Sequence, residues 1–164
     1  MSQLTVLSGP PGAGKSTIAH LLAEKSDRSI CIEGDTVYHM VAGGYVAPWL
    51  PGNHKPLFWA NVESLIQNAL DMGYDVVFEY VLYPRDFERL KRRFKQMQAF
   101  VLLPSEPELL RRDALRPEDC RMGERCRICH KQFCEAEFDP EQVLCTDGES
   151  PEQTAERILN KRKG

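Results

Sequence analysis

The sequence GPPGAGKST, from Gly9 to Thr17, follows the apolar run LTVL at Leu4–Leu7 after a single serine. It matches the pattern G-x-x-x-x-G-K-[ST], with a strand-like run before it and a helical pattern after it. Its glycines let the backbone curl so that the N–H groups face one point, and the following helix adds its positive N-terminus. The sequence therefore predicts a phosphate-binding loop. A glycine-rich turn without a ligand is the alternative, and it leaves the agreement of strand, motif and helix unexplained.

The residue types of this loop also predict how a nucleotide is held. Lys15 is expected to reach the outer phosphates, and the Ser16 hydroxyl is expected to coordinate Mg²⁺. The predicted nucleotide-binding residues of the loop are Gly9, Pro10, Pro11, Gly12, Ala13, Gly14, Lys15, Ser16 and Thr17.

Strand-like apolar runs alternate with helical patterns along the whole chain. Strands are predicted at 4–7, 29–32, 76–78, 100–103 and 143–145, and helices at 15–25, 58–73, 85–95, 107–115, 121–136 and from 151 onward. A Gly- and Pro-rich loop is predicted at 41–56. This alternation predicts an α/β fold with a parallel sheet between two layers of helices. Ligands of such sheets bind beyond the carboxyl ends of the strands.

The bulk composition limits the possible function classes. A chain of 164 residues is expected to form one domain, residues 1–164, with a sizeable core. The net charge of −3 argues against a general nucleic-acid-coating role. No apolar run approaches the roughly 20 residues of a membrane span, and no signal peptide is recognised. We therefore expect a cytoplasmic protein without a membrane or nucleic-acid partner, with reduced thiols, as a monomer or homodimer.

Three polar residues at strand ends are candidates for chemistry. Asp35 follows the second predicted strand, where a carboxylate orients an attacking hydroxyl and takes its proton, or caps the next helix. Glu79 ends the third strand and is predicted to hold a Mg²⁺-bound water; a carboxylate satisfied by local N–H groups is the alternative. Arg85 is predicted to approach the phosphate acceptor, with a solvated arginine at a helix start as the alternative.

The region from 36 to 72 is the predicted acceptor-binding region. Its loop carries Tyr45, Trp49 and His54, whose side chains suit a ring or a polyol. The alternative is that Trp49 and Trp59 pack into the core.

The segment 111–131, which we call the lid segment, is rich in arginine. It carries seven basic and four acidic residues, a net charge of +3 on a chain whose net charge is −3. A positive segment on an acidic protein suits a helical lid that closes over polyphosphate, where arginine neutralises charge on the transferred group. The alternative is that these arginines form a solvent-exposed helix face that binds no ligand. Arg111 and Arg127 are expected at the surface.

The lid segment and the residues after it also contain a cysteine-rich stretch. Cys126, Cys129, His130 and Cys134 invite a zinc interpretation, but structural zinc sites usually have two short-spaced pairs of ligands. The helical spacing favours cysteines that serve as small core residues, and zinc remains an alternative.

The chain resembles the P-loop small-molecule kinases of the nucleoside-monophosphate-kinase-like group, which includes shikimate and gluconate kinases and chloramphenicol phosphotransferase. The loop GPPGAGKST, the pair Gly34-Asp35 and the run LLRRDALRPEDCRMGER carry this resemblance. It implies a three-layer P-loop fold, a five-stranded parallel sheet in the order 2-3-1-4-5, and ATP with Mg²⁺. It also implies that Arg112 contacts the nucleotide, that Arg116 and Arg121 touch phosphates, and that the loop of Asp147 packs against adenine.

Two departures from this group affect the expected substrate. Adenylate kinases have Asp-Gly-Phe-Pro-Arg after the third strand, whereas this chain has EYVLYPR from Glu79 to Arg85. Residues 36–56 also contain no arginine to bind an acceptor phosphate. The sequence therefore favours an ATP-dependent kinase that phosphorylates the hydroxyl of a largely neutral small molecule, with Lys15, Asp35, Arg116 and Arg121 as catalytic residues. The alternatives are a nucleoside or nucleoside-monophosphate kinase and a nucleotide-binding switch without turnover.

Overall fold

The computed structural model describes residues 2–163, with the side chain of the last of these left out. Strands and helices alternate as the sequence predicts. The strands are β1 (Leu4–Ser8), β2 (Ser29–Glu33), β3 (Asp75–Glu79), β4 (Gln98–Leu102) and β5 (Val143–Leu144). The helices are α1 (Lys15–Glu24), α2 (Gly34–Tyr38), α3 (Lys55–Asp71), α4 (Pro84–Arg93), α5 (Glu106–Ala114), α6 (Glu124–Glu135) and α7 (Pro151–Lys163), with a 3-10 turn at Glu118–Cys120.

The five strands form one parallel sheet in the order β2-β3-β1-β4-β5, which confirms the predicted fold class and strand order. β1 lies at the centre, and its Leu7 pairs with Glu79 of β3 on one side and Phe100 of β4 on the other. The carboxyl ends of these strands therefore meet at one edge of the sheet. The phosphate-binding loop leaves β1 at this edge.

Helices cover both faces of the sheet. Successive strand residues point to opposite faces, so Val6 packs with Phe58 and Leu90 in one buried cluster, whereas Leu7 packs with Ile18 and Ile158 in the other. The first cluster joins the sheet to α2, α3 and α4, and the second joins it to α1, α5 and α7. This gives the predicted three layers.

Gly9 shows why the phosphate-binding loop requires glycine. Its φ is +150°, and a Cβ atom built on it would lie 2.4 Å from the carbonyl oxygen of Leu102. A side chain at this position would therefore collide with the backbone of β4. The glycine allows the loop to turn tightly against the strand next to β1.

The predicted boundaries of all five strands differ from the observed ones by one or two residues. β1, β2 and β3 each extend one residue further at their carboxyl ends. β4 begins two residues earlier than predicted, at Gln98, and it ends at Leu102, shortly before Pro104, which has no N–H group to continue the ladder. β5 ends one residue earlier than predicted, at Leu144. Within residues 2–163, no helix has the length and apolar character that a membrane span needs.

Candidate active site

A cavity of about 1100 Å³ lies at the carboxyl edge of the sheet. The phosphate-binding loop lines one side, and residues of α2, the start of α3, the segment after β3 and the lid segment line the others. This is where a parallel α/β sheet is expected to bind its ligands. Its size is at the upper end of the range of about 300 to 1,000 Å³ typical of small-molecule sites.

Lys15 begins α1 and points into this cavity. Its Nζ donates a hydrogen bond to the Pro10 carbonyl at 3.2 Å, across the curl of the loop. Burial lowers the pKa of Lys15, while the nearby carboxylates of Glu79 and Asp35 oppose that shift. The loop therefore holds a lysine whose charge is poorly solvated. Such a charge interacts strongly with phosphate oxygens that enter the site.

Glu79 ends β3 next to the phosphate-binding loop and is only 3% exposed. The Ser16 hydroxyl donates a hydrogen bond to its Oε1 at 3.0 Å. Burial raises the pKa of Glu79, while Lys15 and the Ser16 hydrogen bond oppose that shift. A hydroxyl and a carboxylate at hydrogen-bond distance form an all-oxygen donor set, which Mg²⁺ prefers. Ser16 and Glu79 therefore fit the predicted metal site, with Glu79 acting through a water.

Asp35 is the second residue of α2 and lines the cavity. The N-cap of α2 is Glu33, whose Oε2 accepts a hydrogen bond from the Thr36 hydroxyl, so Asp35 is not the cap. Within residues 2–163, the Asp35 carboxylate has no hydrogen bond or ion pair. Gly34 allows the close packing here, since a Cβ on it would lie 2.5 Å from the Tyr80 ring. The carboxylate is thus free to receive a ligand.

Three arginines of the lid segment differ in position. The Arg112 guanidinium donates to the Ala13 carbonyl of the phosphate-binding loop at 3.4 Å and to the Thr146 carbonyl of the loop after β5 at 3.1 Å. Arg116 lines the cavity and lies close enough to Lys15 to lower the pKa of that lysine. Arg121 is exposed, and its Nε donates to the Arg116 carbonyl at 3.0 Å. The structure therefore brings Arg112 and Arg116 to the phosphate-binding loop and directs Arg121 elsewhere.

The aromatic residues of the predicted acceptor-binding region differ in their position relative to the cavity. Trp49 lines the cavity and is 58% exposed, whereas Trp59 of α3 is buried in the core and reaches the cavity wall from there. Tyr45 does not line the cavity, and its ring stacks on the ring of His39, with 5.3 Å between the ring centres. His54 does not face the cavity either, because its Nε2 accepts a hydrogen bond from the Val46 N–H at 3.1 Å and fixes the loop.

A model of the family described as AAA domain matches residues 6–147. The chain belongs to this AAA domain family. Its matched part runs from β1, through the phosphate-binding loop and the lid segment, to the loop after β5, so it includes every part of the cavity wall.

Relatives of this AAA domain protein are kinases. A shikimate kinase of Saccharopolyspora erythraea is 40% identical over 70 residues, which are 43% of this chain and 39% of that protein. A guanylate kinase of Rhodopseudomonas palustris is 28% identical over 82% of this chain and 71% of its own length. The chain therefore spans about two fifths of the first relative and about seven tenths of the second.

Solved structures with the same fold cover nearly the whole chain. A sugar kinase from a Janibacter species has a TM-score of 0.73 at 18% identity, with 98% of this chain and 94% of that chain covered. A gluconokinase of Sinorhizobium meliloti has a TM-score of 0.66 at 18% identity, with 98% and 95% covered. At this identity the likeness concerns the fold of the AAA domain protein and leaves its substrate open.

Two further predicted site residues lie away from the cavity in this AAA domain protein. Asp147 follows β5, and its Oδ1 accepts the Ser105 N–H at 2.8 Å, so the carboxylate ties that loop to the start of α5. Arg85 is exposed at the first turn of α4 and does not line the cavity. Its neighbour Asp86 lines the cavity instead.

Sequence reasoning missed several residues of the cavity wall. Asp86 accepts the Tyr83 N–H at 2.8 Å at the start of α4, and burial raises the pKa of Asp86. An acidic residue three positions after the N-cap of a helix is a capping signal that could have drawn attention to it. Other missed residues come from separate elements that meet only through the fold; they include Lys55, Tyr80, Tyr83, Arg125 and Gln132.

Two of the three cysteines of α6, Cys126 and Cys129, pack inward as small residues. Cys126 is buried, its Sγ donates to the Pro11 carbonyl at 3.6 Å, and burial raises the pKa of its thiol to about 11. Cys129 is buried against the cavity, and His130 lies 3.0 Å from the Pro104 carbonyl. Cys134 is exposed. Among residues 2–163, no group of three or more His, Cys, Asp or Glu side chains is arranged to hold a metal ion.

Asp113 anchors the lid segment and gives a first testable prediction. It is 4% exposed, and its carboxylate accepts the Met122 and Gly123 N–H groups at 2.9 to 3.1 Å. Burial alone would raise the pKa of Asp113, but these hydrogen bonds hold it below its usual range. Asp113→Asn is expected to lower the free energy of unfolding by about 1 to 3 kcal/mol, because the amide nitrogen cannot accept an N–H.

This effect is measured by urea unfolding at neutral pH. The folded pKa is depressed, so the contribution of Asp113 is present above the unfolded pKa and is lost as the pH falls through the folded pKa. Asp119→Asn is the matched control, since Asp119 is exposed on the same segment. Equal stabilities of the two variants would show that Asp113 does not anchor the lid segment.

Proposed function

We propose that the protein is an ATP- and Mg²⁺-dependent phosphotransferase that moves the γ-phosphoryl group to a hydroxyl of a small molecule. The observation that carries this proposal is the Asp35 carboxylate, which faces the cavity without a protein partner among residues 2–163 and lies within electrostatic reach of Lys15. A free carboxylate beside a phosphate-binding lysine suits a hydroxyl that must be oriented and deprotonated.

The nucleotide is assigned to the side of the cavity that the phosphate-binding loop forms. The N–H groups of the loop and the start of α1 would hold the phosphates, with Lys15 on the outer ones. Ser16 and Glu79 would hold Mg²⁺, which when bound neutralises charge on the phosphates. Arg112 would contact the nucleotide from the lid segment, since it already contacts the loop at Ala13.

For transfer, Asp35 is proposed to accept the proton of the attacking hydroxyl. Lys15 and Arg116 are proposed to stabilise the negative charge on the transferred group, since both line the cavity beside the phosphate-binding loop. Arg121 is assigned no role in phosphoryl transfer, because its guanidinium donates a hydrogen bond to the Arg116 carbonyl.

We propose that residues 1–164 act as one domain, with the lid segment 111–131 over the nucleotide and the acceptor bound by the region 36–72. The proposed partner is a small-molecule acceptor, not nucleic acid or a membrane, and the proposed assembly is a monomer or homodimer. A cytoplasmic location is also proposed, in keeping with the six free cysteines among residues 2–163.

The proposed function is tested by incubating the protein with ATP and a mixed panel of hydroxyl compounds and nucleoside monophosphates, with and without Mg²⁺. A phosphorylated alcohol formed only with Mg²⁺ supports the proposal. Formation of a nucleoside diphosphate from a monophosphate would replace it with the second candidate. ATP binding without any transfer across the panel would favour a nucleotide-binding switch.

A nucleoside-monophosphate kinase is kept as the second candidate on one observation. The sequence offered no arginine near the acceptor, yet the fold places Arg125 and Lys55 in the cavity wall. These cations suit an acceptor that carries an anionic group. The matched guanylate kinases are consistent with this, and the panel above separates the two candidates.

The raised pKa of Glu79 gives a second prediction. As the pH falls, Glu79 becomes protonated at a higher pH than an ordinary glutamate and loses the charge that would hold a Mg²⁺-bound water. The Mg²⁺-dependent part of the affinity for a non-hydrolysable ATP analogue is therefore expected to be full above the raised pKa of Glu79 and to decrease as the pH falls through that pKa. It is measured by calorimetric titration at several pH values.

Glu79→Gln is the test variant for this pH dependence. The amide oxygen of the substituted side chain still accepts the Ser16 hydrogen bond, but the amide carries no charge, so the gain in affinity from Mg²⁺ should become small and independent of acid pH. Glu88→Gln removes the same charge at an exposed position of α4 and should keep the wild-type profile. A wild-type profile in Glu79→Gln would contradict the metal assignment.

A further inference from the structure

Arg125 is the second residue of α6 and reaches across the cavity to the acceptor-side loop. Its guanidinium carbon lies 4.9 Å from the centre of the Trp49 ring. A cation held over an aromatic face is attracted to the ring without using its in-plane N–H donors. Within residues 2–163, no carboxylate or carbonyl accepts a hydrogen bond from this guanidinium. The ring thus positions an arginine whose five N–H donors remain available.

The arginines of the lid segment face different sides of the cavity. Arg112 contacts the phosphate-binding loop, and Arg116 affects the pKa of Lys15. Arg125 instead affects the pKa of Tyr83, and it lies over Trp49. Tyr83 follows β3, and Trp49 belongs to the loop before α3. Arg125 therefore belongs to the acceptor half of the cavity.

A second cation lines the same half. Lys55 is the first residue of α3, and in the described part of the chain its ammonium group forms no ion pair. Asp35 and Asp86 also line the cavity, but among residues 2–163 neither forms an ion pair with Arg125 or Lys55, and Asp86 accepts the Tyr83 N–H. The N–H donors of both cations therefore remain available to a ligand. A bound oxyanion would accept hydrogen bonds from them.

We propose that Arg125 and Lys55, with Arg125 positioned by Trp49, form an oxyanion subsite, so that the acceptor carries a carboxylate, phosphate or sulfate group in addition to its reacting hydroxyl. This inference rests on the proposed function and departs from the sequence-based expectation of a largely neutral acceptor. That expectation rested in part on the absence of arginine from residues 36–56, whereas Arg125 comes from α6, about 70 positions further along the chain.

The subsite is tested by binding, so the test does not depend on turnover. The protein is saturated with Mg²⁺ and a non-hydrolysable ATP analogue, which occupies the phosphate-binding loop, and is titrated by calorimetry with inorganic phosphate and, separately, with acetate. At least one of these anions is expected to bind, and the tighter one distinguishes a phosphate-like from a carboxylate acceptor group. Absence of binding by both would overturn the proposal.

Matched variants locate the anion. Arg125→Gln is expected to weaken binding about tenfold or more, because a charge-assisted hydrogen bond is lost. Arg127→Gln removes the same charge two residues along α6, where Arg127 is exposed and faces Glu106 at 3.9 Å, and should change binding less than about twofold. Equal effects of the two variants would show only a general charge effect and would overturn the subsite.

Two more variants keep the test informative if Arg125→Gln folds poorly. Lys55→Gln changes an exposed side chain and is expected to weaken anion binding without lowering the melting temperature. Arg125→Lys keeps the charge but loses the planar fork, and its affinity should lie between those of the wild type and Arg125→Gln. Anion binding that survives without any phosphoryl transfer would refute the proposed function and leave the subsite intact.

Discussion

Asp35→Asn is expected to lower kcat for phosphoryl transfer by about 10²- to 10⁴-fold while nucleotide affinity stays near that of the wild type. Asparagine has nearly the same shape but cannot take a proton from the attacking hydroxyl. Asp35 has no protein partner within residues 2–163, so the substitution breaks no hydrogen bond of the fold. The loss is therefore expected in the transfer step and not in stability. It is measured with saturating ATP and the acceptor found in the panel.

Glu33→Gln is the matched control for Asp35→Asn. It removes one negative charge two residues away, on a side chain that is engaged with His20 and Thr36 and lies outside the cavity wall. Its kcat should stay within about twofold of the wild type, as expected for a charge outside the site. An unchanged kcat in Asp35→Asn would remove Asp35 from the mechanism.

Lys15→Met is expected to lower kcat/KM by about 10²- to 10³-fold, the loss seen when one donor to a developing charge is removed. Methionine keeps most of the length and apolar surface of lysine, so the packing of the loop is largely retained. The substitution removes the positive charge of Lys15, which burial keeps poorly solvated at the place where the phosphates would bind. Affinity for the ATP analogue should also decrease.

Lys25→Met is the control for Lys15→Met. Lys25 is exposed at the C-terminal end of the same helix, so its substitution removes an equal charge far from the loop. Activity and nucleotide affinity should match the wild type. If Lys15→Met retains full affinity and activity, the loop does not hold the phosphates in the way proposed.

The local patterns of the sequence were sufficient to predict an α/β fold with a parallel sheet, because apolar runs alternate with helical patterns along the chain. The order of the strands in that sheet was implied by the resemblance to P-loop small-molecule kinases and not by these patterns. The same patterns predicted that Lys15, Ser16, Asp35 and Glu79 would meet. Each of them follows or ends a strand whose carboxyl end lies at one edge of the sheet.

The acceptor half of the cavity could not be predicted in the same way. Arg125 and Trp49 meet through the packing of α6 against the loop before α3, a contact that no local pattern encodes. His54 and Asp147 are polar residues on loops, and the sequence does not tell whether such a side chain faces a ligand or fixes its own loop. In this chain both accept backbone N–H groups, which places them outside the cavity.

The central claim is most directly tested by following the γ-phosphate of ATP with ³¹P nuclear magnetic resonance in the presence of Mg²⁺ and the acceptor panel. A new phosphomonoester signal on a hydroxyl compound is expected, formed together with ADP, and this signal should be lost in Asp35→Asn. If the γ-phosphate appears only as inorganic phosphate or as a nucleoside diphosphate, transfer to a small-molecule hydroxyl is contradicted.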